Sequence, residues 1–271
     1  FSIQMSKEVS NLSLTSEQSK FLRNFTFPYY INGQAGSGKS TMLYYIFSNV
    51  YYYKTQDIIK GEVAFLTENE KLLEDTKKYV NDLLRNNPEF DGLDDKQIND
   101  SKNNFFSFKE FLLDILEDSD RGKFHSEKYL NFSIFKYLYE SSTLATYIKD
   151  KYSAEECWFV IITYIYGYKI KEKVTSENYI ETIPKALQVI DKEVFKGIEK
   201  DVLPYYEKLL EDGYWDKLKI IRFIYENINI KKRYSVIICD EAQDFCRVEL
   251  HFILNMSEYL KYDLSTVSQV P

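Results

Sequence analysis

Cysteine is scarce in this chain: Cys157, Cys239 and Cys246 are odd in number and lack the spacing of a metal site. A reduced, cytoplasmic protein fits that usage. Long apolar runs are missing too. No stretch reaches the roughly 18 uncharged apolar residues that a membrane span needs, and Cys157 to Tyr168, the most apolar run, is too short. No signal peptide is visible, so a membrane is not among the expected partners. There is no excess of basic charge. Lys and Arg number 35 against 42 Asp and Glu, for a net charge of −7, which argues against a whole-surface nucleic-acid binder while leaving local basic patches open. Internal repeats are absent. The sequence opens at Phe1 rather than a methionine and stops at Pro271, and the expectation is a portion of a longer protein.

The 271 residues are 44% hydrophobic, enough to build one large domain or two. Aromatics reach 17%, and most of them are assigned to a folding core rather than to a base-stacking surface. The stretch that organises the rest is Ile31 to Thr41, which contains the pattern G-x-x-x-x-G-K-[ST]. Gly33, Gly36 and Gly38 let the backbone take positive φ and turn its N–H groups, those of Gln34, Ala35 and Ser37 among them, toward one anion. Lys39 supplies a point charge for β- and γ-phosphates, and the Ser40 hydroxyl is a natural Mg²⁺ ligand. Phe27 to Ile31 reads as a strand. Thr41 to Tyr51 reads as a helix whose N-terminus faces the phosphates. A Gly/Ser hairpin that happens to precede a lysine is the competing explanation; the strand and helix on either side favour a nucleoside triphosphate.

Elsewhere, Thr15 opens a short helix with Gln18 at the capping-box position. Glu62 to Thr67 reads as a second buried strand, followed by a helix with Leu72, Leu73, Tyr79, Val80, Leu83 and Leu84 at helical spacing. Asn86 to Asn104 is rich in Asn and Asp and aperiodic, an expected exposed loop and boundary. From Phe105 to Lys232 the pattern is mostly helical. Ser107 with Glu110, and Ser153 with Glu156, are capping boxes, and two further helices are expected over Leu203 to Leu210 and Trp215 to Ile228. Ser235 to Cys239 then reads as a central strand of a parallel sheet. It ends in Asp240-Glu241-Ala242-Gln243-Asp244, with a last helix from about Arg247 to Lys261.

Ligands collect at the carboxyl ends of parallel strands, so the glycine loop and Asp240 are expected to meet there. Asp240 would hold Mg²⁺ through water, and Glu241 would polarise the attacking water. Acids are also common in loops and helix caps, and without the glycine loop that simpler explanation would be preferred. The expected architecture is α/β: a RecA-like P-loop NTPase core with a parallel sheet (residues 1–85 and 233–271) and a mostly helical inserted domain (86–232).

These segments together resemble superfamily 1 DNA helicases of the UvrD/Rep type. Leu14 to Gln18 resembles the Q motif, Gly33 to Thr41 motif I, and Val236 to Asp244 motif II. Ala64 to Asn69 is similar to motif Ia, and Phe105 to Phe108 loosely to motif Ib, without the histidine usual in that segment. Tyr205 to Leu218 looks like the segment that precedes motif II. The resemblance implies that Gln18 reads the adenine edge of ATP. It implies that Lys39, Ser40, Thr41 and the loop amides hold Mg²⁺–ATP with Asp240. It implies that Glu241 activates water and Gln243 couples the γ-phosphate to the bound strand. Thr67, Asn69 and Phe108 would lie along single-stranded DNA. A second RecA-like domain in the same parent chain would complete the motor, so this chain alone is expected to turn ATP over negligibly. The alternatives are a helicase-derived ATPase whose helical insert binds protein or RNA, and a nucleotide-gated interaction module.

Overall fold

The computed structural model describes residue 20 and residues 30–32, 36–227 and 234–257. The expected helix around Gln18, most of the expected strand before the glycine loop, and Gly33, Gln34 and Ala35 lie outside these residues. Tyr30, Ile31 and Asn32 carry no regular secondary structure. The chain forms two compact units. Among the described residues the first takes those up to 111 with 234–242 and 256–257, and the second takes 112–227 and 243–255. Helices of eight residues or more are labelled below.

The first unit is α/β. Strands β1 (Glu62–Thr67), β2 (Phe105–Ser107) and β3 (Tyr234–Cys239) form a parallel sheet in the order β2-β1-β3. Phe65 pairs with Phe105 on one side and with Ile238 on the other. Among the described strands β1 is therefore the inner one, and Val63 to Thr67 are all buried. On β3 burial alternates along the strand instead. A strand at Phe105 was not expected, because three residues are too few to show a two-residue period against the helical pattern that follows.

Helix α1 (Lys39–Thr55) packs its aromatic stretch on this sheet. The Phe47 ring stands edge-on to Phe65 at 6.0 Å and lies 4.4 Å from Phe105, centroid to centroid. Helix α2 (Glu70–Asn86) buries Leu73, Thr76, Val80, Leu83 and Leu84, the three- and four-residue spacing of one helical face. Residues 86–104 differ from the exposed loop expected there. They fold into short helical turns, Pro88–Phe90, Asp95–Asp100 and Ser101–Asn104, that send Phe90 and Ile98 into the same core as α1. The abundant Asn and Asp act as caps: Asn87 accepts from the Glu89 amide, and Asp94 forms a reciprocal capping box with Gln97.

Helix α3 (Phe108–Ile115) opens on the Ser107–Glu110 capping box, with Glu110 Oε2 2.9 Å from the Ser107 amide. The second unit is almost wholly helical. It contains α4 (Phe132–Ser141), α5 (Lys192–Asp201), α6 (Leu203–Glu211), α7 (Lys217–Asn227) and α8 (Arg247–Asn255). Ser153 and Glu156 cap the helix Ala154–Phe159, which widens into a π-helical turn over Val160–Ile165. Gly213, at φ 92°, breaks the chain between α6 and α7 in the left-handed conformation that ends many helices. Among the described residues no helix is long and apolar enough to cross a membrane.

Candidate functional site

Gly36 and Gly38 sit at φ 77° and 78°, a left-handed conformation that a side chain would strain. Gly38 is the N-cap of α1 and has no side chain to offer the first amides of the helix, those of Lys39, Ser40 and Thr41. An uncapped helix N-terminus preceded by a glycine turn directs N–H groups and the positive end of the helix dipole at one point, which suits an anion. Lys39, Ser40 and Thr41 are half-buried in the first turn, and Gly36 and Ser37 are exposed ahead of it.

The acidic pair follows β3. The Asp240 amide donates to the Leu66 carbonyl at 2.9 Å, so the sheet's hydrogen bonding runs on to this residue and holds it at the carboxyl end of β1 and β3. Its side chain is 4% exposed, Oδ1 accepts from the Glu241 amide at 2.9 Å, and Oδ2 is buried with no hydrogen-bond partner. Buried carboxylate oxygens are normally satisfied, and an unsatisfied one costs on the order of 1–3 kcal/mol. Glu241 has φ 52°, unusual for a residue with a long side chain. The strained backbone turns the chain sharply at the end of the strand, with the Glu241 side chain half-buried.

Tyr44 follows Ser40 by one turn of α1, and its hydroxyl lies 3.2 Å from that of Thr76 on α2. Burial raises its hydroxyl above the usual phenol range; the neighbouring Thr76 and Ser40 hydroxyls lower it and the Asp240 charge raises it further. Sequence reasoning missed Tyr44 and Thr76. The available signal was spacing: Tyr44 lies four residues after Ser40, on the same helix face.

No protein-family model matches this chain, and no curated protein matches it either.

The remaining site candidates have local roles. Thr67 is fully buried and accepts from the Asn69 amide at 3.3 Å. The Asn69 side chain caps α2, accepting from the Lys71 and Leu72 amides at 3.0 and 3.1 Å. Phe108 is fully buried and stacks with Phe111 at 6.2 Å. Core packing was the expected alternative for that ring, and an enclosed face leaves a base nothing to stack on. Gln243 is exposed in the turn Ala242–Asp244. Gln18 and Gly33–Ala35 lie outside the described residues.

The donor set suits Mg²⁺. Among the described residues no group of three or more His, Cys, Asp or Glu side chains could hold a metal alone. Mg²⁺ binds differently, through one or two protein oxygens plus water and substrate phosphates. A hydroxyl on the first turn of α1 and a buried, unpartnered carboxylate oxygen at the end of β3 are donors of that kind.

Proposed function

We propose that this chain is the ATP-binding motor portion of an ATP-dependent superfamily 1 DNA helicase or translocase, built on a RecA-like P-loop core. Acting with a second RecA-like domain, it would hydrolyse ATP to move on single-stranded DNA. One observation carries the reading. Asp240, held at the carboxyl end of β1 and β3 by its amide on the Leu66 carbonyl, keeps a buried oxygen without a protein partner, in a chain whose glycine turn opens a helix at Lys39 with no side-chain cap. In this reading the amides of Gly33 to Thr41 and the Lys39 ammonium bind the triphosphate, and Gln18 reads the adenine. Ser40 and Asp240 hold Mg²⁺, which when bound offsets charge on the β- and γ-phosphates. Glu241 orients and deprotonates the attacking water, and Gln243 senses the γ-phosphate.

The deciding experiment is equilibrium binding of a fluorescent ATP analogue with and without Mg²⁺, followed by hydrolysis with and without single-stranded DNA. Mg²⁺-dependent binding that Lys39→Ala abolishes is expected, with negligible turnover by this chain alone. Equal binding by the wild type and Lys39→Ala would sink the nucleotide reading. A second reading has a specific observation behind it. The side chains of Thr67, Asn69 and Phe108 are engaged in packing or capping, which favours a helicase-derived ATPase whose helical unit binds protein or RNA. Nucleotide-dependent retention on single-stranded DNA but not on RNA of the same length would exclude it.

A further inference from the structure

The peptide between Asp240 and Glu241 is pinned on both sides. Before it, the Asp240 amide donates to the Leu66 carbonyl at 2.9 Å, which holds Asp240 as the continuation of β3. The amide of the peptide itself, that of Glu241, donates to Asp240 Oδ1, also at 2.9 Å. This bond decides which way the peptide plane faces, with its N–H toward the Asp240 carboxylate. The backbone that results is strained. Among the described residues two non-glycine positions have positive φ, Asp57 at 58° and Glu241 at 52°. Aspartate is tolerated there because its short side chain can bond to the local backbone; glutamate has no such relief. A half-turn of the peptide plane would bring φ of residue 241 to a negative value, where glutamate is unstrained, and would carry the N–H away from Oδ1. The Asp240 carboxylate is placed to prevent that turn, and at 4% exposure it meets little competition from water.

We infer that Asp240 is a positioning residue for Glu241: through Oδ1 it locks the Asp240–Glu241 peptide in its strained orientation, while Oδ2, buried and without a hydrogen-bond partner, is left for the cation. This deepens the Mg²⁺–nucleotide reading above and rests on it. One carboxylate then has two tasks, holding the metal with one oxygen and, with the other, aiming the residue that takes the proton of the attacking water. Without the lock the peptide turns over, the strain is released, and the Glu241 side chain departs from a differently oriented backbone.

The test is a urea-unfolding cycle on the full chain: wild type, Asp240→Ala and Asp240→Asn, each with and without Glu241→Gly. Glycine adopts positive φ without strain, so Glu241→Gly should lower the wild-type unfolding constant about fivefold. In the Asp240→Ala background the same change should lower it less than about twofold, because the unlocked peptide has already relaxed. Asp240→Asn keeps an acceptor oxygen and loses the charge. There the gain of about fivefold should return, while the Mg²⁺ enhancement of mant-ATP binding stays lost. A merely structural Asp240 would leave the gain at residue 241 equal in all three backgrounds, and that result would overturn the inference. So would a wild type that gains nothing from Glu241→Gly. If Asp240→Ala does not fold, hydrogen exchange of the wild type decides: the Glu241 amide should exchange at least about tenfold more slowly than in an unstructured peptide, and an unprotected amide would overturn the lock. The cycle uses no nucleotide, so its failure leaves the nucleotide reading standing; failure of the wild type to bind mant-ATP at all would overturn both.

Discussion

Two buried aspartates, one in each unit, are treated differently by their surroundings. Asp216, at the start of α7 in the helical unit, has both oxygens occupied. Oδ1 accepts from the Lys219 amide at 2.8 Å, and Oδ2 accepts from the Tyr206 hydroxyl. Burial raises its carboxyl above the usual range; the Tyr206 and Lys219 hydrogen bonds and the charge of Arg222 pull it back. Asp240, at the end of β3 in the sheet unit, has one oxygen bonded to the next amide and the other buried without a partner. The fold completes the first carboxylate and leaves the second incomplete. Buried polar groups serve stability when fully satisfied, and an unsatisfied one is where function is to be sought.

The sharpest way to break this comparison is to remove each carboxylate in turn. Asp216→Ala strands a buried tyrosine hydroxyl and a helix amide and opens a small cavity. It should cost about 3 kcal/mol in urea unfolding, with loss of cooperativity in the helical unit first. Asp240→Asn should behave in the opposite way. Unfolding free energy should change by less than about 1 kcal/mol, while the Mg²⁺ enhancement of nucleotide binding should fall about 100-fold. If both variants were equally unstable, Asp240 would be structural and the contrast would disappear.

A third test uses Cys157, buried in the helical unit, whose thiol burial pushes up to about 12. A folded-state pKa above the unfolded value gives a contribution that is complete below the unfolded pKa and lost as pH rises toward the folded one. With an unfolded thiol near 8.5, the loss attributable to Cys157 reaches about 2 kcal/mol by pH 10. Denaturation at pH 8 and pH 10 should show that increment in the wild type and not in Cys157→Ala. The smallest expected effect is at Asn69. As the cap of α2 its replacement by alanine should cost about 1 kcal/mol, whether or not DNA is present. A normal melting temperature with weakened binding to single-stranded DNA would restore Asn69 to the contact set.

The glycine pattern at Gly33 to Thr41, the helix after it, the strands at Glu62 to Thr67 and Ser235 to Cys239, and the two capping boxes were legible in sequence. In each case the information is local: residue types a few positions apart decide backbone conformation. Residues 86–104 misled because Asn and Asp are common both in exposed loops and in caps. Only the burial of Phe90 and Ile98 against the α1 core separates those cases. The strand at Phe105 was missed because its partner Phe65 is 40 residues away in sequence.

The sequence by itself determined where the chain could bind an anion, since positive φ at Gly36 and Gly38 and the cation at Lys39 are properties of neighbouring residues. Tertiary structure alone decided which distant groups lie at the end of the sheet. Parallel pairing of β3 with β1 brings Asp240 to the end of the sheet, α1 packs on that sheet through Phe47, and α2 sets Thr76 against Tyr44 of α1. Sheet register and the burial of a carboxylate oxygen away from any partner depend on contacts between segments far apart in the chain, and no local pattern of residues encodes them.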